Sequence, residues 1–154
     1  METAVITVST SLARGEGEDV SGPRLAALAR EAGADVVAQE VVPDDAGEIE
    51  ARLRAHVEAG VAFVFTTGGT GLTPDDVTPE ATRAVIERDA PGFAEAMRVE
   101  GARHTPLGIL TRGISGVAGR TLIVNFPGSP RAVDQLFGVL APTLRHVTDT
   151  LRRG

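Results

Sequence analysis

The segment VAFVFTT (61–67) constrains the fold more than any other part of the sequence, because it is almost entirely apolar. A strand that helices cover on both faces has such a continuous apolar run, and this is typical of central parallel strands. Further runs at 4–9, 34–42 and 120–126 are predicted to be strands as well. The sequence between these runs is more polar and shows helical spacing, as at Leu25, Leu28, Ala29 and Ala32.

The order of these segments predicts an α/β fold of three layers, in which a mostly parallel sheet lies between two layers of helices. Helices are predicted within 21–33, 43–60, 78–90, 91–103 and 127–153. Residues 107–119 and 120–126 are predicted to be two strands of a hairpin, and Pro142 to break or kink the last helix. With 154 residues, the chain is expected to be a single domain over 1–154.

The composition excludes several classes of chemistry. There is no cysteine and no lysine, since all 15 basic residues are arginine. Thiolate nucleophiles, cysteine-ligated metals, Schiff-base lysines and the lysine of a P-loop are therefore ruled out. A net charge of −6 argues against nucleic acid as a partner. No signal-like or membrane-spanning segment is visible, so we expect a cytoplasmic protein that does not bind membranes.

The loop FTTGGTGLTPDDVTPEA (65–81) carries three glycines within four positions: Gly68, Gly69 and Gly71. It fits neither the P-loop nor the dinucleotide fingerprint. Glycines allow positive φ and let backbone N–H groups converge on an anion. The hydroxyls of Thr70 and Thr78 add donors, and the next helix starts nearby, with Thr78 as its predicted N-cap. The loop therefore predicts phosphate binding, and the alternative is a tight turn before a capped helix.

Asp76 lies beside this loop, where a carboxylate would repel an anion unless a cation lay between them. Mg²⁺ is the expected cation, because one or two carboxylates and phosphate oxygens commonly hold it. Asp44, in VPDD, is predicted to lie at the same edge, at the end of an adjacent strand. The alternative for each aspartate is a solvated or capping residue.

A second strand–turn–helix junction is NFPGSPRAV (125–133). Gly128 permits a tight turn, Ser129 can cap a helix and Pro130 can begin it. A helix start without a ligand is the alternative here. His56 is predicted to be packed in the core or at an interface, whereas His104 and His146 are predicted at the surface.

Five motifs together resemble the MogA/MoaB family of molybdenum-cofactor biosynthesis proteins, which includes the G domain of gephyrin. They are TTGGTGLTPDDVTPEAT, VVPDD, EDVSGP, PGFAEAMR and NFPGSPRAV. The resemblance implies a MogA-like fold and a Mg²⁺-dependent reaction in which ATP adenylylates molybdopterin and pyrophosphate is released. It places the family's two functional aspartates on Asp44 and Asp76, as catalytic and metal-binding residues.

The predicted substrate-binding residues lie in the two junctions: Thr67, Gly68, Gly69, Thr70, Gly71, Thr78, Glu80, Gly128, Ser129 and Pro130. Many relatives carry an Asp-Arg pair after the first strand, where this chain has Thr10 and Ser11. A MoaB-like paralogue that binds molybdopterin without adenylyltransferase activity is therefore the alternative.

The family also implies a homo-oligomer, most often a trimer and in MoaB-like members a hexamer. We expect part of the apolar surface of the helices to lie between subunits, carried by Phe93, Met97, Leu136, Phe137 and Leu151.

Overall fold

The computed structural model describes residues 1–153, which form one six-stranded sheet between helices. The strands are β1 Glu2–Val8, β2 Asp35–Val42, β3 Phe63–Thr67, β4 Arg88–Asp89, β5 Ser115–Ala118 and β6 Thr121–Phe126. The helices are α1 Thr10–Ala13, α2 Ser21–Glu31, α3 Ala46–Glu58, α4 Thr78–Arg83, α5 Pro91–His104, α6 Pro130–Leu140 and α7 Leu144–Arg152. Short 3₁₀ helices cover Pro106–Leu110 and Ala141–Thr143.

The sheet has the strand order β2-β1-β3-β6-β5-β4. The four strands β2, β1, β3 and β6 are parallel, whereas β5 runs antiparallel to both β6 and β4. The mostly parallel sheet and the β5–β6 hairpin are therefore confirmed. The hairpin turns at Gly119, whose φ of 56° favours glycine.

Alternate residues of the central strands point into two separate cores, one on each face of the sheet, which produces the three predicted layers. Phe65 and Val5 point toward a core that α2, α5, α6 and α7 cover. Val64 and Ile6 point toward a second core that α3 and α4 cover. All five residues of β3 are buried, as its apolar sequence predicts. The Phe65 ring meets those of Phe126 and Phe137 edge to face, with centroids 5.7 and 5.8 Å away.

Two predictions for the helix after the glycine loop, its end and its N-cap residue, differ from the structure. Helix α4 ends at Arg83 instead of continuing to residue 90, and the short strand β4 follows. Val77 occupies the N-cap position, while Thr78 is the first helical residue and is fully buried. Its hydroxyl donates to the Gly68 carbonyl at 2.9 Å, so this threonine fastens the loop instead of capping the helix.

The predicted long strand at 107–119 is also wrong, because residues 106–110 form a 3₁₀ helix and only 115–118 form a strand. The 3₁₀ turn packs closely on α5, since a Cβ at Gly108 would lie 2.3 Å from the carbonyl carbon of Gly101. The predicted break at Pro142 is confirmed, since a 3₁₀ turn separates α6 from α7.

The apolar residues expected between subunits lie instead mainly in the core of the single chain. Met97, Leu136 and Phe137 are each 3% exposed, and Phe93 and Leu151 pack partly buried against the same core. Large apolar side chains remain exposed elsewhere: Val20, Val37, Val41, Leu72, Val99, Leu107, Ile109 and Leu110. No helix within residues 1–153 has the length and apolar character needed to cross a membrane.

Candidate functional site

The candidate site lies where the parallel strands β1, β3 and β6 end. The glycine loop follows β3, the 127–129 turn follows β6, and α1 follows β1. Ligands of parallel α/β sheets bind at this carboxyl edge. Asp44 follows β2 at the same edge, but β1 lies between β2 and β3. The prediction that Asp44 and Asp76 follow adjacent strands was therefore wrong, because the strand order is not visible in local sequence patterns.

The glycine loop closely approaches both neighbouring strands. Gly68 and Gly69 have φ angles of 101° and 70°, in the region that favours glycine. A Cβ at Gly68 would lie 2.3 Å from the Val8 carbonyl oxygen, and one at Gly69 would lie 2.2 Å from the Thr78 hydroxyl. Gly71 does not have a positive φ, but a Cβ there would lie 2.7 Å from an Asp76 carboxylate oxygen. Glycine is thus favoured at positions 68 and 69 by both φ and space, and at position 71 by the proximity of the Asp76 side chain.

The threonines at the two ends of the loop fix its path from inside the protein. Thr67 and Thr78 are fully buried. The Thr67 hydroxyl donates to the Pro127 carbonyl at 2.7 Å, which connects the glycine loop to the turn after β6. The Thr78 N–H donates to the Gly69 carbonyl at 3.1 Å. Both are predicted substrate-binding residues, and the structure buries them with their hydroxyls bonded to backbone carbonyls.

The middle of the loop leaves backbone donors available. Among residues 1–153, the N–H groups of Gly69, Thr70 and Gly71 donate to no protein acceptor, while the Gly68 N–H donates to the Phe126 carbonyl. Successive free N–H groups in a loop form a concave site of partial positive charge. This arrangement can bind an anion such as a phosphate group.

A cavity of about 840 Å³ opens beside these donors. One wall consists of Gly69, Thr70, Gly71 and Asp76. The start of α6 and the turn before it also line the cavity, as do Leu107 and Leu110 of the 3₁₀ turn. The cavity is large enough for a small organic molecule and has both polar and apolar walls.

The second predicted junction also lines the cavity. A Cβ at Gly128 would lie 3.2 Å from the Gly68 Cα, so the two junctions are in close contact. Ser129 is the N-cap of α6 and accepts from the Ala132 N–H at 3.4 Å, and Pro130 begins the helix as predicted. The Arg131 guanidinium, at the cavity wall, makes no hydrogen bond or ion pair with the described residues. It can therefore bind an anionic ligand.

In both Asp76 and Asp44, hydrogen bonds hold one carboxylate oxygen in place and the other oxygen has no partner among the described residues. Oδ2 of Asp76 accepts from the N–H and hydroxyl of Thr73, at 3.0 and 2.9 Å. Oδ2 of Asp44 accepts from the N–H and hydroxyl of Thr10, at 3.1 and 2.8 Å. The Oδ1 atoms have no hydrogen-bond partner within residues 1–153.

This donor set fits a cation that substrate phosphates help to hold. Within residues 1–153 no cluster of three or more His, Asp or Glu side chains could hold a metal alone. A Mg²⁺ site needs only one or two carboxylates when phosphate oxygens and water complete its shell. Asp76 lines the cavity and has a free oxygen, so it is the better placed of the two predicted ligands.

Glu80 forms an ion pair with Arg112, which the sequence analysis missed. Nη1 and Nη2 of Arg112 donate to the two Glu80 carboxylate oxygens, each at 2.9 Å. These hydrogen bonds lower the pKa of the Glu80 carboxyl and raise the pKa of the Arg112 guanidinium. Glu80 thus stays ionised and engaged with Arg112.

Two further residues at the cavity wall were missed. Thr111 donates its hydroxyl to the Thr70 hydroxyl at 3.1 Å, and His104 lines the cavity while Nε2 contacts Glu100 at 3.0 Å. They come from a segment that the sequence analysis assigned to a strand and a surface helix end. His56 is buried and bonded to Glu40, which agrees with a packed histidine.

The chain resembles known proteins over almost its whole length. Residues 4–146 match the sequence model of a family described as a probable molybdopterin binding domain. Over 144 residues the chain is 38% identical to the molybdenum cofactor synthesis protein cinnamon of Drosophila melanogaster, a match that covers 92% of this chain and 24% of that protein. The molybdopterin adenylyltransferase of Haemophilus influenzae is 37% identical over 138 residues, which cover 88% of this chain and 70% of that enzyme.

Solved structures agree with these sequence matches. The molybdopterin biosynthesis enzyme MoaB of Thermus thermophilus superimposes with a TM-score of 0.92 at 39% identity, covering 99% of this chain and 97% of that one. The chain spans less than half of the length of several curated relatives that it matches. The family and the MogA-like fold are thus both confirmed, and the chain belongs to the molybdopterin-binding MogA/MoaB family of molybdenum-cofactor biosynthesis proteins.

Proposed function

We propose that this protein adenylylates molybdopterin with ATP and releases pyrophosphate. One observation carries the proposal: the free N–H groups of the glycine loop, the start of α6 and Asp76 all face one cavity of about 840 Å³. The likeness to a molybdopterin adenylyltransferase supports the choice of substrates. Both substrates are polyanions, so a site built from backbone donors and a free arginine suits them.

In the proposed reaction, an oxygen of the terminal phosphate of molybdopterin attacks the α-phosphorus of ATP. A new P–O bond forms, the bond from the α-phosphorus to the bridging oxygen breaks, and pyrophosphate leaves with the electron pair. Such a transfer depends on alignment and charge stabilisation more than on a nucleophilic side chain. The N–H groups of Gly69, Thr70 and Gly71 bind and orient phosphate, and Arg131, which lines the same cavity, stabilises negative charge.

Asp76 and Asp44 are the residues that would hold Mg²⁺. When bound, Mg²⁺ neutralises phosphate charge and assists the departure of pyrophosphate. The carboxylates themselves contribute a fixed orientation, because Thr73 and Thr10 each hold one of their oxygens. The free oxygen of each carboxylate then faces a defined direction before any ligand arrives.

The test is pyrophosphate release by the purified chain in the presence of molybdopterin, ATP and Mg²⁺. Omission of any one of the three should abolish release. Pyrophosphate that appears without molybdopterin would indicate ATP hydrolysis instead of transfer. Absence of release with all three present would contradict the proposed activity.

A binding protein without turnover is the second candidate, in the manner of a MoaB-like paralogue. It is favoured by the loop after β1, where Thr10 and Ser11 stand in place of the Asp-Arg pair of many relatives. Calorimetry with molybdopterin separates the two candidates, because a binding paralogue gives a saturable heat of binding but no pyrophosphate on addition of ATP and Mg²⁺.

We also propose a homo-oligomer, with a trimer as the first choice and a hexamer as the alternative. Its support is the family resemblance together with exposed apolar side chains, among them Leu107, Ile109, Leu72 and Val99, which are 60–69% exposed. Exposed apolar residues of this size are frequent at protein interfaces. Sedimentation equilibrium at micromolar concentration gives the assembly, and a species of the monomer mass would contradict it.

A further inference from the structure

Arg112 makes an unusual number of contacts with the glycine loop and with the residues after it. Its guanidinium forms four hydrogen bonds: Nε donates to the Gly71 carbonyl at 2.8 Å, Nη2 donates to the Asp76 carbonyl at 2.8 Å, and two bonds go to Glu80. Its backbone N–H donates to the Thr70 carbonyl at 2.7 Å. A single residue therefore contacts both the glycine loop and the backbone of Asp76.

These contacts connect Gly71 to Asp76 across the exposed turn at 72–75, in addition to the bonds that Thr78 makes with Gly68 and Gly69. The Gly71 carbonyl belongs to the segment with the free N–H groups, and Asp76 is the predicted metal ligand. Residues 72–75 are exposed, and Leu72 is 66% exposed. A bend in this turn would change the position of the carboxylate relative to the phosphate donors, and the Arg112 guanidinium donates to backbone carbonyls on both sides of the turn.

The shape of the guanidinium explains why arginine suits this position. Its donors lie in one plane and point in fixed directions, so it can reach two carbonyls and a carboxylate together. Glu80 accepts two of these bonds and holds the plane in orientation. A lysine ammonium is a single point on a flexible chain and cannot make the same set of contacts.

We propose that Arg112 is a positioning residue for the proposed transfer, which fixes the glycine loop and Asp76 in one relative arrangement. The proposal rests on the proposed function. It also assigns Glu80 to the support of Arg112 instead of to direct contact with substrate. Displacement of a reacting group by about 1 Å can cost about 100-fold in rate, so loss of the Arg112 hydrogen bonds should reduce kcat.

The experiment compares Arg112→Gln and Arg112→Lys with Arg54→Gln as the matched control. Arg54 also pairs with a glutamate and donates to a backbone carbonyl, that of Ala84 at the end of α4, but it lies outside the cavity. Three quantities are measured: kcat for pyrophosphate release, the melting temperature and amide hydrogen exchange of peptides covering 68–76 and β3.

Both Arg112 variants should lose about 10- to 100-fold in kcat, with faster exchange at 68–76 and unchanged exchange in β3. Arg112→Lys should not restore the rate, and Glu80→Gln should have a smaller effect because the contacts of Arg112 with Gly71 and Asp76 remain. Arg54→Gln should match wild type in kcat and in loop exchange, whatever its melting temperature.

If amide exchange at 68–76 in Arg112→Gln is as slow as in wild type, Arg112 does not hold the loop in place. This result does not depend on whether the wild-type protein is active. Faster exchange with unchanged kcat would overturn the role of Arg112 in the reaction. If the wild-type protein releases no pyrophosphate, the proposed function fails on that result. The positioning role of Arg112 is then tested by hydrogen exchange and by calorimetric binding of inorganic pyrophosphate.

Discussion

Thr10 and Asp44 hold each other through three hydrogen bonds although 34 positions separate them in the sequence. The Thr10 hydroxyl donates to the Asp44 carboxylate at 2.8 Å and accepts from the Asp44 N–H at 3.0 Å. The Thr10 N–H donates to the same carboxylate oxygen at 3.1 Å. Thr10 is thus an orienting partner of a predicted catalytic aspartate.

We expect Thr10→Val to lower pyrophosphate release by about tenfold, because a hydrogen bond to a charged group contributes about 1.5–3 kcal/mol. Thr10→Ser keeps the hydroxyl and should stay within about threefold of wild type. Thr143→Val is the matched control, since the Thr143 hydroxyl donates to the Leu140 carbonyl away from the site. Equal activity in Thr10→Val and Thr10→Ser would contradict an orienting role.

Asp76→Asn should keep the fold and lower activity by about 100-fold or more, because a neutral amide is a poor ligand for Mg²⁺ and several kcal/mol of charge stabilisation are lost. Asp75→Asn is the control: it removes the neighbouring carboxylate, which is exposed and does not line the cavity. Steady-state kinetics at saturating substrates and varied Mg²⁺ measures both variants. Similar activity in the two would reduce Asp76 to a turn residue.

Gly69→Ala should destabilise the protein by about 1–3 kcal/mol and abolish calorimetric binding of inorganic pyrophosphate. The new Cβ would lie 2.2 Å from the Thr78 hydroxyl at a φ of 70°. Gly138→Ala, in the exposed part of α6 where a Cβ meets open space, should instead stabilise by about 0.5–1 kcal/mol. Urea denaturation measures both changes, and undiminished pyrophosphate binding by a folded Gly69→Ala variant would contradict the loop as a phosphate site.

Glu40 should stabilise the fold in a pH-dependent way. Hydrogen bonds from Arg52, and the charges of Arg52 and His56, lower the pKa of the Glu40 carboxyl. A carboxyl whose pKa is lower in the folded state contributes stability above its unfolded pKa of about 4.3, and this is lost as the pH falls through the folded pKa. Glu40→Gln should therefore cost about 1 kcal/mol at pH 7 and much less near pH 3.

Urea denaturation at the two pH values measures this difference, with Glu50→Gln as the control. Glu50 also pairs with an arginine, Arg54, but on an exposed helix face. A cost for Glu40→Gln that does not change between the two pH values would show that packing, instead of charge, is responsible.

The central strand β3 could be predicted from the sequence because a strand covered on both faces is mostly apolar, and β3 is apolar up to its last two residues, which are threonines. The two junctions could also be predicted. Gly68 and Gly69 adopt the positive φ angles that glycine allows, and Ser129 caps a helix as serine commonly does. These signals are local, and each is contained within a few residues.

The contacts that complete the site are not local. Arg112 reaches Gly71 across 41 positions and Glu80 across 32, and no pattern around Arg112 distinguishes it from other arginines. The 3₁₀ turn at 106–110 packs against α5 through Gly101 and Gly108, a contact that its strand-like sequence does not indicate. The placement of β1 between β2 and β3 is likewise a property of the assembled sheet.

The most direct test of the account follows the fate of the α-phosphate of ATP. The purified chain is incubated with molybdopterin, Mg²⁺ and ATP carrying an isotopic label at either the α- or the γ-phosphorus. The account predicts that the α-label moves onto the pterin in amounts equal to the pyrophosphate released, that the γ-label appears only in pyrophosphate, and that Asp76→Asn loses both. A γ-label found on the pterin or in free phosphate, or an α-label found only in free ATP or AMP, would contradict adenylyl transfer.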